Sequence, residues 1–189
     1  MEITEIKASY EKALKVFLDE EIYLLENDVS ERAMAHKLAE YLSDQFPDFD
    51  VDCEYNRNGK KPKYVQVNFN EALTSEVEKL VVKAIKWREI LKKGENEYMD
   101  NDIPPITFST FPDIIIHQRG ENYPTNILVI EIKKDGTDDE DVIFDYAKLK
   151  DFTSKEEGNE YRYKVGVHLT LSSEKGDSVY FRNGSIEKG

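Results

Sequence analysis

Apolar residues recur at helical spacing in four stretches of the chain. Over residues 3–26 the spacing predicts one long helix or two short ones. Ser30 is a favourable N-cap, and the helix that it opens is predicted to run to about Asp44. Two further helices are predicted over about 71–93 and about 141–152.

Period-two alternation and short apolar runs predict the strands. The segment 49–55, "FDVDCEY", alternates between apolar and acidic residues, which is typical of a half-buried strand. The apolar runs 112–119 and 126–134 flank a turn-rich connector and predict a hairpin. Its second run is nearly continuous in apolar residues, so a central strand is expected there. The segment 161–171 predicts another strand, and 178–186 a last short strand or a hairpin.

The predicted order of elements is α–β–(inserted α)–β–β–α–β–β. It indicates an α/β fold, or an α+β one, with a mixed central sheet flanked by helices. The chain has 189 residues, and we expect a single domain over 1–189. Within it, residues 1–29 would form an N-terminal helical extension. Residues 57–110 would form a helical insertion between the first two strands.

Three charged residues interrupt the predicted hairpin: Asp113, Glu131 and Lys133. Opposed residues of such a hairpin have numbers that sum to roughly 244–246. An even sum makes Asp113 a cross-strand neighbour of Glu131 or Lys133 on the same face of the sheet. Buried charge is costly without compensation, and two carboxylates with one ammonium remain net negative. The sequence therefore predicts a bound cation, with a plain structural pair between Lys133 and Glu131 as the alternative.

The ligand chemistry of this cluster indicates the kind of cation. Carboxylates without convergent His or Cys residues suit Mg²⁺ or Mn²⁺. Such an ion can polarise a phosphoryl oxygen and activate a water. Lys133 would stay protonated between two anions and support charge that develops on a phosphate. Glu31 falls on the apolar stripe of its helix, where it could join this site or merely favour the helix dipole.

These residues resemble a known signature. Pro112-Asp113 followed by Glu131-Ile132-Lys133 is similar to the motif of the PD-(D/E)XK, or restriction-endonuclease-like, nuclease superfamily. The resemblance covers about residues 30–56 and 111–171 and implies an αβββαβ core. It further implies Asp113 and Glu131 as metal ligands, Lys133 as the catalytic lysine and Glu31 as an auxiliary acid.

Charge is unevenly distributed along the chain. The net charge is −13, which argues against nonspecific binding of polyanions by the whole surface. Residues 57–93, however, contain ten bases and four acids, a local charge of +6. Candidates for contacts with nucleic acid are Asn56, Arg57, Lys60, Lys61, Lys63 and Lys148, each with a plain turn or an exposed side chain as the alternative.

The leading functional hypothesis is a metal-dependent nuclease that hydrolyses phosphodiester bonds by direct attack of water, with DNA favoured over RNA. The alternative is a catalytically inactive module of the same fold that binds protein or nucleic acid. A third hypothesis, another Mg²⁺ enzyme acting on a nucleotide, is disfavoured because the sequence has no Gly-rich phosphate loop. A homodimer or a partner protein remains open.

Three features bear on location. The apolar runs are too short to span a bilayer, so no association with a membrane is expected. The N-terminus lacks the pattern of a secretory signal. Cys53 is the single cysteine, which favours a reducing cytoplasm.

Overall fold

The computed structural model describes residues 1–27, 29–58, 61–67, 106–120, 124–173 and 175–187. The helices in this part of the chain are α1 (Ile3–Glu20), α2 (Ile22–Glu26), α3 (Glu31–Gln45) and α4 (Asp139–Thr153). The strands are β1 (Asp50–Cys53), β2 (Arg57–Asn58), β3 (Lys61–Pro62), β4 (Tyr64–Val67), β5 (Ile106–Ser109), β6 (Ile114–His117), β7 (Leu128–Lys134), β8 (Val165–Leu171), β9 (Gly176–Arg182) and β10 (Ser185–Ile186).

Six of the strands form one mixed sheet in the order β1-β6-β7-β8-β9-β10. Its pairs are antiparallel except for β7 and β8, which run parallel. The parallel connection between these two strands contains α4, as a crossover requires. The predicted α/β class with a mixed sheet and flanking helices is therefore confirmed, and β7 is a central strand as expected.

The two faces of the sheet are covered by different helices. Even-numbered residues of β7, such as Ile130 and Ile132, pack in a core with α1 and α3. Val129 lies on the opposite face, in a second core with Leu149 and Phe152 of α4. Because side chains alternate along a strand, the odd-numbered Glu131 and Lys133 are on the face that α4 covers.

Helix α3 forms for the reasons visible in its sequence. The hydroxyl of Ser30 accepts a hydrogen bond from the Ala33 amide at 3.3 Å, which satisfies one of the unpaired N–H groups of the first turn. The predicted inward stripe of Ala35, Leu38 and Leu42 is buried. Glu31, the first residue of the helix, is carried by this geometry to the end of β7.

Residues 57–110 were predicted as a helical insertion, and their described parts are strands. The short β2–β3 and β4–β5 ribbons are antiparallel and lie outside the six-stranded sheet. The predicted helix over 71–93 lies outside the described residues. Residues 3–20 and 22–26 form two helices, one of the two arrangements that the spacing allowed.

Among the helices described, none combines the length and the apolar character that a transmembrane span requires.

Candidate functional site

Asp113 and Glu131 meet at one end of the β6–β7 pair. The observed register pairs Ile114 with Ile130 and Ile116 with Leu128, so opposed numbers have an even sum, as one of the predicted registers requires. Extended by one residue, this register brings Asp113 opposite Glu131. The Asp113 carboxylate also accepts a hydrogen bond from the Ile132 amide at 2.7 Å. Beyond the end of β6, the Asp113 side chain thus accepts a hydrogen bond from the backbone of β7 in place of a β6 carbonyl.

Glu131 is a buried carboxylate, with 1% of its surface exposed. Its Oε2 atom lies 2.9 Å from the ammonium of Lys148 on α4. Its Oε1 atom has no hydrogen-bond partner among the residues that the structure describes. The structural pair that the sequence suggested between Glu131 and Lys133 is not the contact that forms, because the counter-ion of Glu131 comes from the helix and not from the same strand.

Asp145 links the two lysines of the site. Lys148 lies 2.6 Å from Asp145 Oδ1, and Lys133 lies 3.2 Å from Asp145 Oδ2. Lys133 also lies 3.4 Å from Glu31 Oε2. The charged groups therefore alternate in sign along a chain of contacts that runs Glu131, Lys148, Asp145, Lys133, Glu31. We call these five residues and Asp113 the charged cluster.

Both oxygens of the Glu31 carboxylate have partners at the end of β7. Oε1 accepts a hydrogen bond from the Lys134 amide at 3.1 Å, while Oε2 faces Lys133. The carboxylate thus ties the start of α3 to the end of β7. It also lines an open cavity of about 530 Å³ together with Ser30, Arg32, Glu54, Asp113 and Lys134. This cavity is the open approach to Asp113.

The electrostatics of the cluster favour protons or cations. Four carboxylates and two ammonium groups leave a formal charge of −2. Burial raises the pKa of Asp113, although the Ile132 amide opposes the shift. Burial also raises the pKa of Glu131, with the charges of Asp145 and Asp113 adding to it and Lys148 opposing it.

Both lysines remain charged in this environment. Burial alone would lower the pKa of Lys133, but Asp145, Glu31 and Asp113 raise it above its usual range. This agrees with the prediction of a protonated Lys133, although Asp145 was not among the anions that were expected. For Lys148, burial is likewise outweighed by Glu131 and Asp145, so its pKa is raised.

His168 lies beside the cluster. It is paired in register with Glu131 on β8 and is 1% exposed. Its Nε2 atom is 3.9 Å from Asp145 Oδ2, and neither ring nitrogen has a hydrogen-bond partner within the described part of the chain. Burial lowers the pKa of His168, so the ring is neutral near pH 7. The edge of the Tyr146 ring packs against it, with centroids 5.0 Å apart.

The sequence interpretation missed Asp145 and His168. Neither was among the predicted site residues. For Asp145, its spacing of three residues from Lys148 was the available signal. His168 interrupts the apolar strand "VGVHLTL" just as Glu131 interrupts β7, which is the signal that pointed to the site.

The residues predicted to contact nucleic acid differ in their exposure to solvent. Arg57 is exposed and Asn56 is half-buried. Lys61 belongs to β3, and Lys60 lies outside the described residues. Lys63 cannot be an exposed phosphate contact, because it is 1% exposed and its ammonium lies 2.9 Å from the Tyr163 hydroxyl.

Lys148 also differs from its predicted setting. It was considered as a phosphate contact or as an exposed lysine, and it is neither exposed nor directed to solvent. Its side chain is 11% exposed and holds Glu131 and Asp145. The residue belongs to the charged cluster.

The donor set restricts which metal could bind. Within the described residues, no three His, Cys, Asp or Glu side chains are arranged to hold a metal ion. This excludes, for that part of the chain, the closed protein cage that is typical of structural zinc. Mg²⁺ differs, since it usually keeps several waters and is held by one or two carboxylates together with substrate phosphates. Asp113 and the unpartnered Oε1 of Glu131 fit that second kind of site.

Comparison of the chain with protein-family models, with curated proteins and with solved structures gives no match.

Proposed function

We propose that the protein is a Mg²⁺- or Mn²⁺-dependent nuclease that hydrolyses phosphodiester bonds, with DNA favoured over RNA. The observation that carries the proposal is the buried Glu131 carboxylate, which keeps one unpartnered oxygen beside Asp113 in a cluster with a formal charge of −2. A buried carboxylate oxygen without a partner is costly, and a cation is the ligand that offsets the cost.

The order of elements supports the same assignment. Helix α3, the antiparallel β1, β6 and β7, helix α4 and the parallel β8 occur in the order αβββαβ, with the β2–β3 and β4–β5 ribbons inserted between β1 and β6. This is the order that the PD-(D/E)XK resemblance implies, and Asp113, Glu131 and Lys133 stand at one end of its hairpin. Membership of that superfamily is part of the proposal.

Four residues of the cluster have a role in this proposal. Asp113 and Glu131 would hold the ion, with Glu31 as an auxiliary acid. When bound, the ion supplies Lewis-acid polarisation of a phosphoryl oxygen and lowers the pKa of a coordinated water. Lys133 reaches the cluster from the half-buried end of β7 and keeps its charge, so it can stabilise negative charge that develops on the phosphate.

A specific observation favours the second candidate, a catalytically inactive module that binds protein or nucleic acid. Glu131, Lys148, Asp145, Lys133 and Glu31 already pair in a continuous chain of contacts that leaves a formal charge of only −1. Such a chain could serve stability alone. The two candidates differ in whether added metal changes the protein and whether nucleic acid is cut.

Cleavage assays distinguish these candidates. Metal-stripped protein is incubated with supercoiled plasmid, single-stranded DNA and RNA, each with Mg²⁺, Mn²⁺ or EDTA. We expect cleavage that depends on the metal, a loss by orders of magnitude in Lys133→Ala, and an unchanged rate in Asp44→Asn, an exposed acid of α3. Cleavage that persists in Lys133→Ala, or that is absent with every substrate and metal, would contradict the nuclease and favour the inactive module.

A further inference from the structure

Lys148 occupies an unusual position for a lysine. Its ammonium lies between two carboxylates from different elements, 2.9 Å from Glu131 Oε2 on β7 and 2.6 Å from Asp145 Oδ1 on α4. All three residues are buried. A cation that bridges two buried carboxylates offsets charge that burial makes costly, and an ammonium can do this as a metal ion can, with half the charge of a divalent ion.

The two oxygens of Glu131 have different surroundings. Oε2 faces Lys148, whereas Oε1 has no hydrogen-bond partner among the described residues. One oxygen is therefore already neutralised from the side of α4, and the other is left for a ligand. Asp145 differs in that both of its oxygens face a lysine: Lys148 contacts Oδ1, and Lys133 lies 3.2 Å from Oδ2, which makes no hydrogen bond among the described residues.

We infer that the Lys148 ammonium occupies the position between Glu131 and Asp145 where a second divalent ion would otherwise bind. It thereby limits the site to one divalent ion. The inference rests on the proposed function in one respect, namely that Asp113 and Glu131 hold the first ion. It assigns Lys148 a role that is independent of any contact with the phosphate backbone.

Removal of the ammonium should open the second position. In Lys148→Met the side chain keeps a similar length and loses its charge, so the formal charge of the cluster becomes −3. Glu131 Oε2 and Asp145 Oδ1 then lose the counter-ion that they share, while Lys133 keeps its contact with Asp145 Oδ2. Carboxylate oxygens suit Mn²⁺. We therefore expect Lys148→Met to bind two Mn²⁺ ions per chain where the wild type binds one.

The test is Mn²⁺ titration of metal-stripped protein by calorimetry, with electron paramagnetic resonance to detect coupling between neighbouring Mn²⁺ ions. The wild type should take one ion and show no coupling, and Lys148→Met should take two. Asp145→Asn/Lys148→Met removes a carboxylate of the second position and should return to one ion. Lys150→Met, which removes an exposed lysine of the same helix, should behave as the wild type.

The outcomes separate this inference from the proposed function. Two coupled ions in the wild type, or a single ion in a folded Lys148→Met protein, would overturn the role of Lys148 while leaving the metal site intact. Binding of Mn²⁺ by Lys148→Met but not by the wild type would support the stand-in cation and contradict the metal dependence of the natural protein. No Mn²⁺ bound by either protein would overturn both. If Lys148→Met does not fold, the wild-type stoichiometry and coupling still test the inference.

Discussion

Asp113 carries a charge and also accepts a backbone hydrogen bond, and two substitutions separate these properties. Asp113→Asn removes the charge but keeps an oxygen for the Ile132 amide, whereas Asp113→Ala removes both. Without metal, we expect Asp113→Asn to be at least as stable as the wild type at pH 8. Asp113→Ala should be less stable than Asp113→Asn by about 1–3 kcal/mol, the cost of an unsatisfied buried donor.

The sign of the pH dependence follows from the raised pKa of Asp113. Between the ordinary pKa of 3.8 and the raised one, the folded wild type binds more protons than the unfolded chain, so its stability falls as the pH rises. Asp113→Asn lacks this decrease. Its advantage should be absent below pH 3.8 and complete above the raised pKa, as measured by urea unfolding at several pH values. A wild type that is more stable than Asp113→Asn at pH 8 without metal would contradict this account.

At the same scale, the sequence predicted Asp113, Glu131, Lys133 and Glu31 of the charged cluster and missed the roles of Lys148 and Asp145. Asp113 and Glu131 belong to neighbouring strands of one hairpin, so the arithmetic of antiparallel pairing was enough to bring them together. Lys148 reaches Glu131 from a helix, as Asp145 reaches Lys133, and these contacts depend on how α4 packs across the sheet. No periodicity within a single element contains that information, and a lysine two residues from Glu131 was the nearest available counter-ion.

At the scale of elements, Lys63 fixes the segment that follows β1 to the core. Its ammonium contacts the Tyr163 hydroxyl at 2.9 Å and lies 5.3 Å and 5.4 Å from the ring centroids of Tyr55 and Tyr163. The hydroxyl of Tyr161 donates to the Tyr64 carbonyl at 2.6 Å and accepts from the Tyr64 amide at 2.7 Å. These contacts attach β4 to the residues that precede β8.

Lys63 gives this attachment a dependence on pH. Burial lowers the pKa of Lys63 from 10.5 to about 7, while Asp52 opposes the shift. Between these values the unfolded chain binds more protons than the folded one, so the contribution of Lys63 to stability is complete above pH 10.5 and is lost as the pH falls to about 7. The difference in unfolding free energy between the wild type and Lys63→Met should therefore rise from pH 7 to pH 9 by up to about 1.4 kcal/mol per pH unit.

Urea unfolding of both proteins over this range measures the difference, and most other titrations cancel in it. Lys150→Met, in which an exposed lysine is removed, should show no such trend relative to the wild type. A constant difference between the wild type and Lys63→Met would mean that the buried amine keeps its ordinary pKa.

The pairing of β4 with β5 shows why this region was hard to predict. Tyr64 is opposite Ser109, far along the chain, so neither strand has a local partner. Hydrophobic periodicity detects an element from its own residues and contains no information on which strand, far along the chain, pairs with it. By contrast α3, β1, β6 and β7 were predicted nearly at their observed bounds, because each has its own cap, alternation or turn.

At the scale of the whole molecule, a chain with a net charge of −13 can hold a nucleic acid only along a positive part of its surface. Since Lys63 is buried, Arg57, Lys60 and Lys61 remain as the basic candidates from residues 57–63. We expect their joint replacement by glutamine to weaken the binding of DNA to a similar degree across sequences. The dependence of log affinity on log salt should flatten by roughly 0.7–0.9 units for each phosphate that the variant can no longer neutralise.

Fluorescence anisotropy at several salt concentrations, with Ca²⁺ in place of Mg²⁺, measures this slope. A matched variant replaces Lys12, Lys15 and Lys37 of α1 and α3 by glutamine, which changes the net charge equally at another place. If both triple variants shift the slope alike, net charge and not a local surface governs the binding. An unchanged slope and affinity in the variant that lacks Arg57, Lys60 and Lys61 would mean that these three side chains do not contact the DNA.

The hydrogen bond from the Ile132 amide to the Asp113 carboxylate has a practical consequence. The Ile132 nitrogen lies 2.7 Å from Asp113 Oδ2, and the resonance frequency of the amide proton between them depends on the electron density of that oxygen. Whatever withdraws density from Asp113, whether a proton or a cation, must therefore move the Ile132 signal in a nitrogen-correlated spectrum. Occupancy of the site can thus be followed from a single backbone nucleus, in the unaltered protein and without any substrate.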